Sequence, residues 1–153
     1  MKLTRTLDTL LSITTVLSLV VLVVVMGDAL YLGLWYYIAV PVVLLGTVSV
    51  LKPAPLFLFG TTAAMAASMI VVMSVNWHAA HPEGLLGLAH LFSLPGAFVV
   101  VWGTAFAMRK KRTFDNPAYF LMGLGSFGIG YFINQLVLCN TYVWCGPLSF
   151  PIR

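Results

Sequence analysis

Long apolar runs, broken only by short polar or proline-containing interruptions, make up nearly the whole chain. Five of them are recognisable, at about residues 9–26, 32–51, 56–75, 83–108 and 118–138. Each is close to the roughly 20 residues that an α-helix needs to cross about 30 Å of hydrocarbon. The pattern therefore predicts an all-α, polytopic membrane helical bundle of five transmembrane helices, forming one domain over residues 1–153. The alternative is four spans plus a re-entrant segment, because the last run is rich in glycine.

The interruptions sharpen this reading. The first run follows a short basic start and is too long for the apolar core of a signal peptide, with no small-residue cleavage pattern after it. Gly27-Asp28 ends it, and Tyr31, Trp35, Tyr36 and Tyr37 then form an aromatic cluster suited to a membrane–water interface. Pro41 lies inside the second run and deprives the Tyr37 carbonyl of its helical donor, which predicts a bend. Lys52-Pro53-Ala54-Pro55 is a tight turn. In the third run Gly60, Ala64 and Ser68 recur every fourth residue, as do Ser126 and Gly130 in the fifth. Small residues at this spacing let a neighbouring backbone approach closely, and packing inside the bundle is preferred over a dedicated dimer face. Pro82-Glu83 suits a helix start, and Pro95-Gly96 predicts a kink in the fourth run. The tail from Cys139 to Arg153 is too short for a sixth span.

Composition agrees with the pattern. The chain of 153 residues is 61% hydrophobic and 8% charged, whereas a soluble domain carries about a quarter charged residues. The net charge of +4 does not point to nucleic acid, because the basic residues stand at the ends of the runs. Alternating spans from a cytoplasmic N-terminus place Lys2, Arg5, Lys52 and the run Arg109-Lys110-Lys111-Arg112 inside, seven of the eight Lys and Arg residues. This predicts a cytoplasmic-type inner membrane, N-terminus in and C-terminus out. Arg109, Lys110, Lys111 and Arg112 are also placed to hold anionic lipid headgroups.

Candidate chemistry is concentrated in Asn76–Gly84. His78, His81 and Glu83, with His90 a little further on, have the donor types of a zinc, copper or iron site. No H-E-x-x-H pattern is present, and His81 precedes a proline, which disfavours a helical face there. Interfacial histidines are therefore preferred over ligands, and His90, an ionisable group within a span, is the most interesting of the set. Cys139 and Cys145 would form a structural disulfide on an oxidising outer side. The literal G-x-G-x-x-G at Gly123–Gly128 lies inside an apolar run, without the strand that a dinucleotide site requires. Asn134 and Gln135 suit hydrogen bonding to a neighbouring helix.

The catalytic inventory is thin: Asp8, Asp28, Glu83 and Asp115 all fall at run ends or in loops, and no nucleophile elbow or P-loop is present. The expected role is binding, as an accessory, assembly or protective (immunity-like) subunit docking on another membrane protein or on itself within the lipid bilayer. A metal or redox protein using the histidine loop, and a small transporter or channel with His90 on its path, are the alternatives.

Overall fold

The structure is a computed structural model that describes residues 5–81, 84–109 and 115–141. Among them the chain forms five helices and no strand: α1 (Arg5–Met26), α2 (Leu34–Val50), α3 (Phe57–Trp77), α4 (Leu85–Met108) and α5 (Asn116–Thr141). All except α2 are long and apolar enough to cross a membrane. α2, with 17 residues, reaches only about 25 Å at 1.5 Å per residue. α5 is one uninterrupted helix of 26 residues, so its glycines do not break it, and it is long and apolar enough to cross.

The helix ends depart from the apolar runs where polar groups find tertiary partners. α1 is already helical at Arg5, four residues before the first apolar run, and this turn is tied to the α2–α3 turn. Arg5 donates to the Lys52 carbonyl, and the buried Asp8 carboxylate accepts the Phe59 N–H at 2.8 Å. The backbone N–H groups of Leu58 and Leu56 are also directed at Asp8. The cap residue of α3, Leu56, is left-handed with φ 70° and supplies no side-chain cap. A carboxylate on α1 thus satisfies the open N–H groups at the start of α3. Pro82 and Glu83, expected to start α4, lie outside the described residues.

Hydrophobicity does not select partners among helices that are all dissolved in hydrocarbon, so close packing and hydrogen bonds decide which helices meet. α5 packs most extensively on α4 and then on α3; α3 also carries α1, whereas α2 and α4 touch least. Glycines make the closest crossings. A Cβ on Gly60 would fall on the Phe120 carbonyl, and one on Gly123 on the Phe57 carbonyl. Between α4 and α5, Gly96 and Gly130 each stand against the other's carbonyl oxygen. The core between these crossings includes Met65, Met69 and Met73 of α3 with Leu44, Phe127 and Val101.

Candidate functional site

The α1–α2 loop closes one end of the bundle. Its backbone takes left-handed conformations at Gly27, Tyr31 and Gly33, and Asp28 holds it in shape. One Asp28 oxygen accepts the Leu30 N–H at 3.0 Å and the Tyr37 hydroxyl at 2.6 Å; the other accepts the Gly33 N–H at 2.6 Å. The loop is docked as well as folded. Leu30 is fully buried, its carbonyl lies where a Cβ on Gly87 would be, and the buried Asn76 donates to the Ala29 carbonyl.

Beneath this loop lies the polar centre of the molecule, built around His90. α4 buries His90 on the same face as Gly87, Leu94 and Ala97. Its Nδ1 is 2.6 Å from the Tyr36 hydroxyl of α2, and its Nε2 is 3.0 Å from Ser68 Oγ of α3. Ser68 has one proton, and its nearest acceptor is the Met65 carbonyl at 2.7 Å. Ser68 therefore accepts from Nε2–H, and Nδ1 accepts from Tyr36. The neutral Nε2–H tautomer gives every donor in the chain Tyr36, His90, Ser68, Met65 exactly one acceptor. The Tyr131 ring of α5 stands 5.2 Å from the imidazole, and its hydroxyl bonds Ser93. Ser93 in turn meets Gln135 Oε1, and Asn134 donates to the Phe92 carbonyl at 2.5 Å. Four helices are thus joined at one level. Among the described residues, no buried side-chain nitrogen or oxygen lacks a hydrogen-bond partner.

The residues singled out along the chain are distributed differently in space. His78 caps the end of α3 with Nδ1 2.7 Å from the Ser74 carbonyl, while His81 is exposed and Glu83 lies outside the described residues. His90 has both ring nitrogens engaged, and no three His, Cys, Asp or Glu residues gather among the described residues in a metal-holding group. Cys139 is buried near the end of α5, with Gln135 Nε2 3.6 Å from its sulfur. Cys145, and with it the Cys139–Cys145 pairing, lies outside the described residues. Of the small residues, Gly60 and Gly130 make the crossings above, and Ala64 lines the core. Ser126 bonds the Gly123 carbonyl, and Ser68 serves His90. Arg109 is an exposed C-cap of α4; Lys110, Lys111 and Arg112 lie outside the described residues. Tyr36, Tyr131, Ser93 and Asp8 were not legible as a set, since their partners come from distant helices.

A spacious concavity lies elsewhere. α2 and α4 meet at Tyr36 and His90, early in each helix. Past Pro41 and Pro95 they leave an open groove of about 610 Å³, lined by Val43, Thr47, Phe98, Trp102, Gly103 and Phe106. No family model, curated protein or solved structure matches the chain. The geometry therefore has to carry the functional reading.

Proposed function

We propose that this is a non-enzymatic, multi-pass membrane protein that acts by binding, as an accessory, assembly or protective subunit docking on another membrane component. The observation that carries the reading is the state of the polar centre. His90, Tyr36 and Ser68 are buried and spend their hydrogen-bonding capacity on one another and on the backbone. Such a saturated network fixes helix positions and offers no free group to a substrate. What the molecule presents outward is apolar helix surface, including Val21 and Val24 on α1 and Ile129 and Phe132 on α5. A transport path through His90 finds little support, because the α4 core positions beyond His90 and Ser93 are Leu94, Ala97, Val101, Ala105 and Met108.

We also infer an inner-membrane location with the N-terminus inside. Arg5 bonds the Lys52 carbonyl, so these two cations share one end of the bundle. Helix alternation adds Arg109 to that end, in keeping with the positive-inside preference. Cys139 and Cys145 would then face an oxidising side, where pairing is favoured.

Photo-cross-linking side chains at Val21 and Ile129, used in membranes, test the docking role. The expected result is a discrete adduct with one polypeptide, lost when the same protein is irradiated in detergent. Only lipid-sized adducts from both positions, with a monomer in native mass spectrometry, would overturn it.

A further inference from the structure

We propose that the α2–α4 groove seats an acyl chain of an anionic phospholipid, with the phosphate headgroup at the Arg109 end of α4. This goes beyond the docking role and stands apart from it, since a protein that docks on nothing would still bind the lipid.

The shape of the groove follows from where the two helices touch. α2 and α4 run in the same direction through the bundle, and the Tyr36–His90 bond of 2.6 Å holds their opening turns together, the first of α2 against the second of α4. Nothing comparable holds their second halves, and α2 and α4 are the least intimately packed of the touching helix pairs. Gly103 stands in the gap with no atom within 4 Å of where a Cβ would be. The resulting space of about 610 Å³ falls in the range of small-ligand sites, roughly 300–1,000 Å³. A helix that spans the membrane, about 30 Å long and 10 Å across, is much larger.

The lining selects an apolar occupant. Thr47 is the hydroxyl side chain in it, and that hydroxyl already donates to the Val43 carbonyl at 2.7 Å. Phe98, Trp102 and Phe106 repeat every four residues along one wall, so a flexible chain laid between the helices meets an aromatic side chain at each turn of α4. Beyond the Thr47 oxygen and the Trp102 indole N–H the lining has no polar side-chain group, so a polar ligand would leave most of its own groups unpaired.

Charge at one end then chooses among apolar occupants. Phe106 is three residues from Arg109, whose N–H bonds the Phe106 carbonyl and which is exposed. In the sequence Arg109 opens a run of four basic residues. A cation at the membrane surface directly beyond an apolar groove suits a molecule with a phosphate at one end and hydrocarbon at the other. A neutral lipid uses only the groove, and a free phosphate only the arginine.

Native mass spectrometry of the full chain in detergent tests this, with titration by phosphatidylglycerol or by phosphatidylcholine of the same acyl chains. The wild type is expected to retain the anionic lipid about fivefold better, the scale of one basic residue at an anionic surface. Gly103→Leu fills the groove and should weaken retention of both lipids by about tenfold or more. Val43→Trp, which fills it from α2, should do the same and serves if the first variant fails to fold. Arg109→Gln should remove the preference for phosphatidylglycerol while leaving phosphatidylcholine binding intact. Gly125→Leu, at a glycine on α5 with equally open surroundings, should change nothing. Undiminished lipid retention in both groove-filling variants would overturn the proposal. So would equal affinity of the wild type for the two lipids, or a co-purifying polypeptide cross-linked from Gly103→Cys.

Discussion

α4 meets two neighbours in opposite ways. Against α5 it lies so close that Gly96 and Gly130 face each other's carbonyls without room for a methyl group. Against α2 it is pinned at one level by Tyr36 and His90, and then left apart by a groove. Both faces are apolar, so hydrophobicity does not explain the difference. In hydrocarbon an uncovered leucine is as well solvated as a packed one. What distinguishes the two faces is the position of small residues and of hydrogen-bonding pairs. The contrast makes the same substitution costly on one face and harmless on another.

The largest effect should come from the glycine crossing. A side chain on Gly130 would meet the Gly96 carbonyl and, at 2.8 Å, the Ala97 Cα, both backbone atoms that cannot swing aside. Gly130→Leu is expected to destabilise the bundle by about 3 kcal/mol or more. Gly128→Leu on the same helix, where nothing lies within 4 Å, should stay within about 0.5 kcal/mol. Thermal unfolding of both variants in one detergent makes the comparison, and equal losses would break the close-contact account of the α4–α5 face.

The polar pin comes next. His90→Phe keeps a ring of similar size but leaves the Tyr36 hydroxyl and Ser68 without their partner, at a cost of about 1–3 kcal/mol. Combined with Tyr36→Phe, the double variant should recover part of that loss. A coupling energy near 1 kcal/mol is the scale of hydrogen bonds between membrane helices. Independent, additive effects would mean that the bond does not hold α2 to α4, and the groove would lose its structural cause. The lipid titration on Tyr36→Phe adds a second readout, because a shifted α2 should also change acyl-chain retention.

These two contacts mark how far the sequence could be read. The helices were legible because roughly 20 apolar residues in a row have few other ways to satisfy their backbone in a membrane. The spacing of Gly60 and Gly130 advertised close approach, although which neighbour each one meets depends on the fold. The partners of His90 were not legible. Along the chain it stands near His78 and His81, whereas in space it joins Tyr36, 54 residues away, and Ser68, 22 residues away. Ser68 belongs to a small-residue series and looked like packing, yet its hydroxyl is what the imidazole bonds. The groove was invisible for another reason: an absence of contact leaves no mark on hydropathy when lipid and protein interior are equally apolar.

A third prediction extends the contrast to α1, whose outward face carries exposed Leu10, Leu17, Val21 and Val24. Its attachment to α3 has a polar fixed point in Asp8, which caps Phe59 at 2.8 Å. Asp8→Ala should cost about 1–2 kcal/mol, the range of a lost N-terminal cap. Amide hydrogen exchange should show faster exchange at the start of α3 than elsewhere in that helix. Uniform protection along α3 would show that apolar packing alone seats α1.

The smallest effect has the opposite sign. Gly46 on α2 is exposed, with no atom within 4 Å of a Cβ position, and lies one residue before Thr47 of the groove. Glycine in a helix interior is less favourable than alanine by roughly 0.5–1 kcal/mol, because its unfolded backbone has more freedom to lose. Where no neighbour occupies the space, Gly46→Ala should recover part of that difference, about 0.5 kcal/mol. The gain stays small because lipid does not compete for the helix hydrogen bonds as water does. A rise of this size in unfolding free energy, set against the loss at Gly130, would show one residue type used for two purposes. A clear loss at Gly46 would instead mean that something packs there in the folded protein, and α2 would then have a partner on its outward face.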